Sequence, residues 1–159
     1  MKCFTAITVF LTSVITIAMP KIGDHSVLSV IKNGVNIGTL EYELLQFDIT
    51  KNQYLEVETQ NFYGKKTVDQ YWTTGMSDAQ IASYLTHCPA NGGIFQTVTV
   101  PAGTFPTCAV PVTLPDATET MWLGQVAMGV VKVDIQQGSN HLVANLVDFG
   151  LGHDQKRLR

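Results

Sequence analysis

VLSVIKNGVNIGTLEYELLQFD, residues 27 to 48, contains two apolar runs separated by Asn33-Gly34. That dipeptide favours a two-residue type I′ hairpin, because both residues accept positive φ. The runs therefore read as paired strands, Val27 to Lys32 and Val35 to Asp48. In the second, Leu40, Tyr42 and Leu44 alternate with Glu41 and Glu43, which sends one face to a core and the other to water. Asp48 to Asn52 forms a polar turn. A third strand, Gln53 to Tyr63, alternates Leu55 and Val57 with Glu56 and Glu58 and is read the same way, with both glutamates on a solvated face.

Beyond Tyr71-Trp72 the pattern changes. Ser77-Asp78-Ala79-Gln80 has the form of a capping box, in which Ser77 caps a helix and Gln80 reaches back to it. Ile81, Tyr84, Leu85 and Cys88 then fall on one helical stripe, and Pro89 with Asn91-Gly92-Gly93 stops the helix. Strands follow at Ile94 to Val100 and Thr104 to Val112, with a turn at Pro101-Ala102-Gly103. Two more run from Met121 to Ile135, bent at Gly124 and Gly129, and from Asn140 to Gly150. Lys65-Lys66 reads as a turn or a solvated edge that discourages pairing with other chains. The expected fold is mostly β, an α+β domain with a curved antiparallel sheet or half-barrel wrapped over one short helix.

The chain has 159 residues, 45% hydrophobic and 14% charged, with a net charge of -3. That is one domain with enough apolar surface to fold, and no disordered tail-like chain. Its two arginines, Arg157 and Arg159, lie at the very end, so a nucleic-acid partner is not expected.

The first eighteen residues carry Lys2, an apolar run and no acid, which is the pattern of a secretory signal peptide. The run is short for a membrane span, and no basic stop-transfer cluster follows it, so no transmembrane segment is expected after cleavage. A buried N-terminal strand is the competing reading of the same residues. Cleavage leaves nine basic and thirteen acidic groups, a net of -4, in a single β-rich domain of residues 19 to 152 with a flexible basic tail at 153 to 159. The implied location is the periplasm or the outside of the cell.

Cleavage would also remove Cys3, leaving Cys88 and Cys108 as an even pair. In an oxidising compartment they would join and pin helix to sheet; in a reducing one they would stay as buried thiols. A zinc site using His87 with the two cysteines is a third arrangement, but adjacent residues on a helix point apart, and no metal or other cofactor is expected.

The order Tyr71-Trp72, capped helix to Cys88, TVTVPAGTFPTC (Thr97 to Cys108), WLGQVAMGVVKVD (Trp122 to Asp134) and LVDFGLG (Leu146 to Gly152) resembles a group of uncharacterised bacterial envelope or periplasmic proteins. The opening Pro20-Lys21-Ile22-Gly23-Asp24 is similar too. In those proteins a V-P-A-G-x-F hairpin precedes a W…G-V-V-K strand, and the fold is similar to the half-barrel of the periplasmic lipoprotein carriers LolA and LolB. The resemblance implies a curved sheet over a helix. It does not imply lipoprotein shuttling, because the carriers hold their closed state with a buried arginine and the body of this chain has none.

No G-x-S-x-G, H-E-x-x-H, P-loop or G-x-G-x-x-G occurs, and His25, His87, His141 and His153 are scattered. Glu41/Glu43 and Glu56/Glu58 could imitate a glycosidase's carboxylate pair, but their alternation with apolar residues favours solvated strand faces. Tyr71, Trp72, Met76, Phe95, Phe105, Trp122 and Met128 form the set that could wall a cavity for a lipid or another apolar small molecule; packing between sheet and helix is the competing use. The expectation is an exported, non-enzymatic envelope protein that binds an apolar ligand in the concave face of its sheet, or a structural or partner-binding module without a ligand.

Overall fold

The computed structural model describes residues 20–152. The signal segment, its cleavage site and the C-terminal tail lie outside the described residues. Nine strands form one open, curved antiparallel sheet: β1 His25–Lys32, β2 Val35–Asp48, β3 Gln53–Phe62, β4 Lys65–Thr73, β5 Ile94–Val100, β6 Gly103–Leu114, β7 Ala117–Gly124, β8 Val130–Gln137 and β9 Asn140–Gly150. One helix, α1 Asp78–Thr86, and a short 3-10 turn at Cys88–Asn91 connect β4 to β5. The strand order is β4-β3-β2-β1-β9-β8-β7-β6-β5. Two meanders thus meet where β1 pairs with β9, and the helical connection crosses from one edge of the sheet to the other.

Local chemistry accounts for the joints. Asn33 and Gly34 have φ of 50° and 82°, the positive pair that a tight hairpin needs, and Lys32 pairs with Val35 across the turn. The capping box is present in full: Ser77 Oγ accepts from the Gln80 amide at 3.2 Å, and Gln80 Oε1 accepts from the Ser77 amide at 2.8 Å. The α-helix ends at Thr86, two residues before the apolar stripe does. Cys88 opens the 3-10 turn with Pro89 behind it, because proline has no amide to continue the helix. Ile81 and Cys88 are buried, while Tyr84 and Leu85 are half-buried.

Cys88 and Cys108 form a disulfide with Cα atoms 5.6 Å apart, joining the end of the helical connection to β6. A zinc site on these sulfurs and the free-thiol arrangement are thereby excluded. Gly93 lies against the bridge. A Cβ there would sit 2.5 Å from Cys108 Sγ and 2.9 Å from Cys88 Sγ, so only a residue without a side chain fits.

Two parts of the sheet differ from the sequence expectation. The run Met121 to Ile135 is two strands, not one bent strand. Met128 and Gly129 take positive φ, and the Gly124 amide donates to the Gly129 carbonyl at 2.9 Å, so the chain reverses between β7 and β8. The segment after Tyr63 is also a strand. Tyr63 and Gly64 both have positive φ, the chain turns, and Lys65 and Lys66 open β4 on the outer edge of the sheet.

Among the buried side chains are two packed clusters. Val100, Val126, Val131 and Leu146 pack together with Val98, Ala102, Phe105 and Phe149. There the β5–β6 hairpin tip reaches β9, and the Ala102 amide donates to the Leu146 carbonyl at 3.1 Å. Leu28, Val30 and Ala144 anchor the second group, with Ile37, Leu40, Tyr42, Phe62 and Val133 among its half-buried neighbours. The second group borders a void.

Candidate functional site: an apolar cavity with a polar band

The void is a cavity of about 630 Å³. Inward-pointing positions of the sheet supply most of its wall: Ser26, Leu28 and Val30 from β1, and Leu40, Tyr42 and Leu44 from β2. The period of two along each strand explains these triplets. Met121, Val133, Ile135, Leu142 and Ala144 continue the apolar wall through β7, β8 and β9, and Met76, Ile81 and Met128 cover it from the helical side. At one end, residues 20 to 24 fold against the rim. The Tyr54 hydroxyl donates to the Pro20 carbonyl at 2.6 Å, and the Asp24 carboxylate accepts from the Lys21 amide at 2.8 Å and the Gly152 amide at 2.6 Å.

A polar band interrupts the apolar wall. Glu56, on β3, lines the cavity and is only 7% exposed. The Tyr71 hydroxyl, on the neighbouring β4, donates to Glu56 Oε1 at 2.6 Å and lies 3.3 Å from Glu58 Oε2. Tyr42 pairs in register with Glu58 and, on its other side, with Ser26. Ser26 is 0% exposed, and its Oγ has no hydrogen-bond partner. Such an orphan is uncommon, since buried hydroxyls are normally paired.

The charges in this band perturb one another. Burial pushes the Glu56 carboxyl above the usual carboxylate range; the Tyr71 hydrogen bond pulls it back, and the Glu58 charge pushes it up again. Burial, then the Glu58 and Glu56 charges, raise the Tyr42 phenol to about 12. Tyr71 is also raised, by burial first, then by the hydrogen bond to Glu56 and the neighbouring carboxylates. The Tyr71 proton therefore stays on the phenol and points at a carboxylate.

The expectation for Glu56 is overturned here. Glu41 and Glu43 are exposed as read, but β3 turns Glu56 inward and Leu55 outward. A register shift between Leu44 and Gln46 admits Leu45 as an extra residue in β2, and Leu55 pairs with Trp72 across the outer face. Tyr54 shares the inward face with Glu56 and is itself buried.

Of the aromatic and methionine side chains singled out from the sequence, Tyr71, Met76 and Met128 line the cavity. The others lie elsewhere. Trp72 is on the outer face of β4, with the Lys51 amine 5.5 Å from its ring. Trp122 carries the Lys132 amine 4.6 Å above its ring, and Phe105 packs edge-on against Phe149 at 5.8 Å in the other cluster. Phe95 is exposed on the edge strand β5. The sequence reading missed Ser26, Tyr42 and Glu56 as wall residues. The shared parity of Tyr54 and Glu56 was the available signal for Glu56.

No histidine among the described residues lines the cavity. His141 Nε2 lies 2.8 Å from Asp134 Oδ1, but this pair is on the exposed surface and not beside a buried carboxylate. His87 is exposed at the helix end. Among the described residues no group of three or more His, Cys, Asp or Glu side chains converges as a metal site, and no helix is long and apolar enough to cross a membrane.

No family model matches the chain, and no curated protein matches it. Among solved structures it is similar to a candidate exported protein with a YmcC-like fold from Bacteroides fragilis, with a TM-score of 0.49 and 12% identity, covering 84% of this chain and 98% of that one. It is also similar to a candidate lipoprotein from Parabacteroides distasonis, with a TM-score of 0.46, 9% identity and the same coverage.

Proposed function

We propose that this protein is an exported, non-catalytic envelope protein that holds a lipid or another apolar small molecule in the cavity of its curved sheet. The observation that carries the reading is the cavity itself. Its volume of about 630 Å³ falls in the range of small-molecule sites, and a wall of Leu, Val, Ile and Met with a few convergent polar groups is what such sites present. Methionines at 76, 121 and 128 add a lining that adapts to flexible chains. The export part of the reading is supported by the signal-like residues 1 to 18 and by the disulfide, a bond that persists in oxidising compartments. The resemblance to lipoprotein carriers adds no weight to the cavity argument.

The test is titration of the full chain with N-phenyl-1-naphthylamine, a neutral dye that brightens in apolar sites. Saturable one-to-one binding is expected, and Ala144→Phe, which puts a ring into the cavity, is expected to abolish it while the circular dichroism spectrum is kept. Absence of saturable binding, or unchanged binding by Ala144→Phe, overturns the reading.

A second reading, a partner-binding module without a ligand, is favoured by one feature: Ile94 and Phe95 are adjacent and exposed, 70% and 56%, on the edge strand β5. An Ile94→Lys, Phe95→Lys chain that loses a partner held by the wild type, while still binding the dye, would select it.

A further inference from the structure

Resting on the cavity reading, we infer that the bound molecule is an amphiphile whose polar end is a non-anionic hydrogen-bond donor, an amine or a hydroxyl, seated against Glu56, Tyr71, Tyr42 and Ser26. The first support is the sign of the wall. Asp24 and Glu56, both buried, line the cavity together with half-buried Glu119 and exposed Asp78, and among the described residues no Lys, Arg or His side chain does. An anionic headgroup would enter a low-dielectric site with like charges and no cation to pair with, so the wall rejects a carboxylate or phosphate and leaves the apolar surface to select the chain.

The second support is independent of the acids. Ser26 Oγ stands on the wall, buried and unpartnered, in a row of the sheet that continues through Tyr42 to Glu58. A ligand hydroxyl or amine placed there would donate to Glu56 or Tyr42, and a ligand hydroxyl could also accept from Ser26. It would supply the bond that Ser26 lacks. The Glu56 carboxylate has accepting capacity left over, because the Tyr71 hydroxyl occupies only one of its oxygens at hydrogen-bond distance. Tyr71 fixes that carboxylate from the β4 side, so the free acceptor is oriented before any ligand arrives.

The test uses the full chain loaded with N-phenyl-1-naphthylamine and displaced at neutral pH by dodecylamine, dodecanol and dodecanoate, which share a chain and differ in the polar end. Dodecylamine and dodecanol are expected to displace the dye at concentrations about tenfold or more below dodecanoate. Glu56→Gln is expected to reduce the preference for dodecylamine over dodecanoate by about tenfold, with a smaller loss for dodecanol, whose hydroxyl can still donate to the amide oxygen. Ser26→Ala, which removes the orphan hydroxyl without adding bulk, is expected to weaken dodecanol by about threefold more than it weakens the dye. If dodecanoate binds as tightly as dodecylamine while the dye binds and Ala144→Phe blocks it, the headgroup inference falls and the cavity reading stands. Equal effects of Glu56→Gln on all three ligands also overturn it. If the dye itself does not bind, both fall together.

Discussion

The two buried clusters of this sheet are built from the same side chains and used differently. Around Leu146 and Val131, both 0% exposed, the β5–β6 hairpin curls back until its tip bonds to β9, and Phe105 and Phe149 fill what space remains. Leu28, Val30 and Ala144 are apolar too, yet they face a cavity of about 630 Å³. The difference teaches that hydrophobic content does not decide whether a region is solid or hollow. Reach decides it. The β5–β6 tip is long enough to close its own end of the sheet, whereas α1 is nine residues long and covers only part of the other.

This contrast is broken most directly by truncation on both sides of it. Leu146→Ala, in the packed cluster, is expected to cost about 4 kcal/mol, because it removes transfer energy and opens a new cavity. Leu40→Ala, on the cavity wall, is expected to cost about 1–2 kcal/mol, since its side chain is half-buried and already borders empty space. Urea unfolding monitored by tryptophan fluorescence measures both, and equal losses would show that the hollow end is packed in solution. Next in size is the disulfide, held on β6, the strand that also carries Phe105 into the packed cluster. Replacing Cys88 and Cys108 by Ser together opens a loop whose ends are 20 residues apart and is expected to lower stability by about 3 kcal/mol, read as a lower urea midpoint.

Glu56 sharpens the comparison through pH. Its folded-state pKa is raised, so between the unfolded value and the raised folded value the native chain holds more protons than the unfolded one, and stability falls as pH rises across that window. Below the window the wild type carries no such penalty; above it the penalty is complete. Glu56→Gln should remove this fall, so the melting temperature of the variant relative to wild type should rise from pH 4 to pH 7. A pH-independent difference would mean that Glu56 ionises in the fold as it does in water. The smallest effect is expected at Gly34. No atom lies within 4 Å of a Cβ there, so Gly34→Ala should cost about 1 kcal/mol from its φ of 82° alone, and dye binding should be unchanged.

Much of the architecture was legible because its signals are local. Asn33-Gly34 set one hairpin, Ser77 and Gln80 set the helix start, and the bounds of β2, β5 and β9 follow from alternation and flanking turn residues. The faces were less legible. β2 and β3 both alternate apolar residues with glutamate, but alternation names two faces without saying which is inside. In β3, Tyr54 on the glutamate parity competes with Leu55 and Val57 on the other, and pairing with β2 and β4 settles the contest. β4 went unread because Lys65 to Thr73 has no clean apolar face and its turn, Tyr63-Gly64, puts a bulky residue where positive φ is uncommon. The cavity was beyond local signals altogether, since Ser26, Tyr42, Glu56 and Tyr71 come from four strands and only register brings them into adjoining rows.

The pairing of β1 with β9 has a consequence for folding during synthesis. It is the ladder that joins the two meanders, and it links the first strand among the described residues to the last. A chain made N-terminus first can form β1 to β4 early but must leave one side of β1 bare until residues 140 to 150 have been made. During that interval the bare strand is open to another molecule's backbone, an exposure that ends once β9 pairs along it.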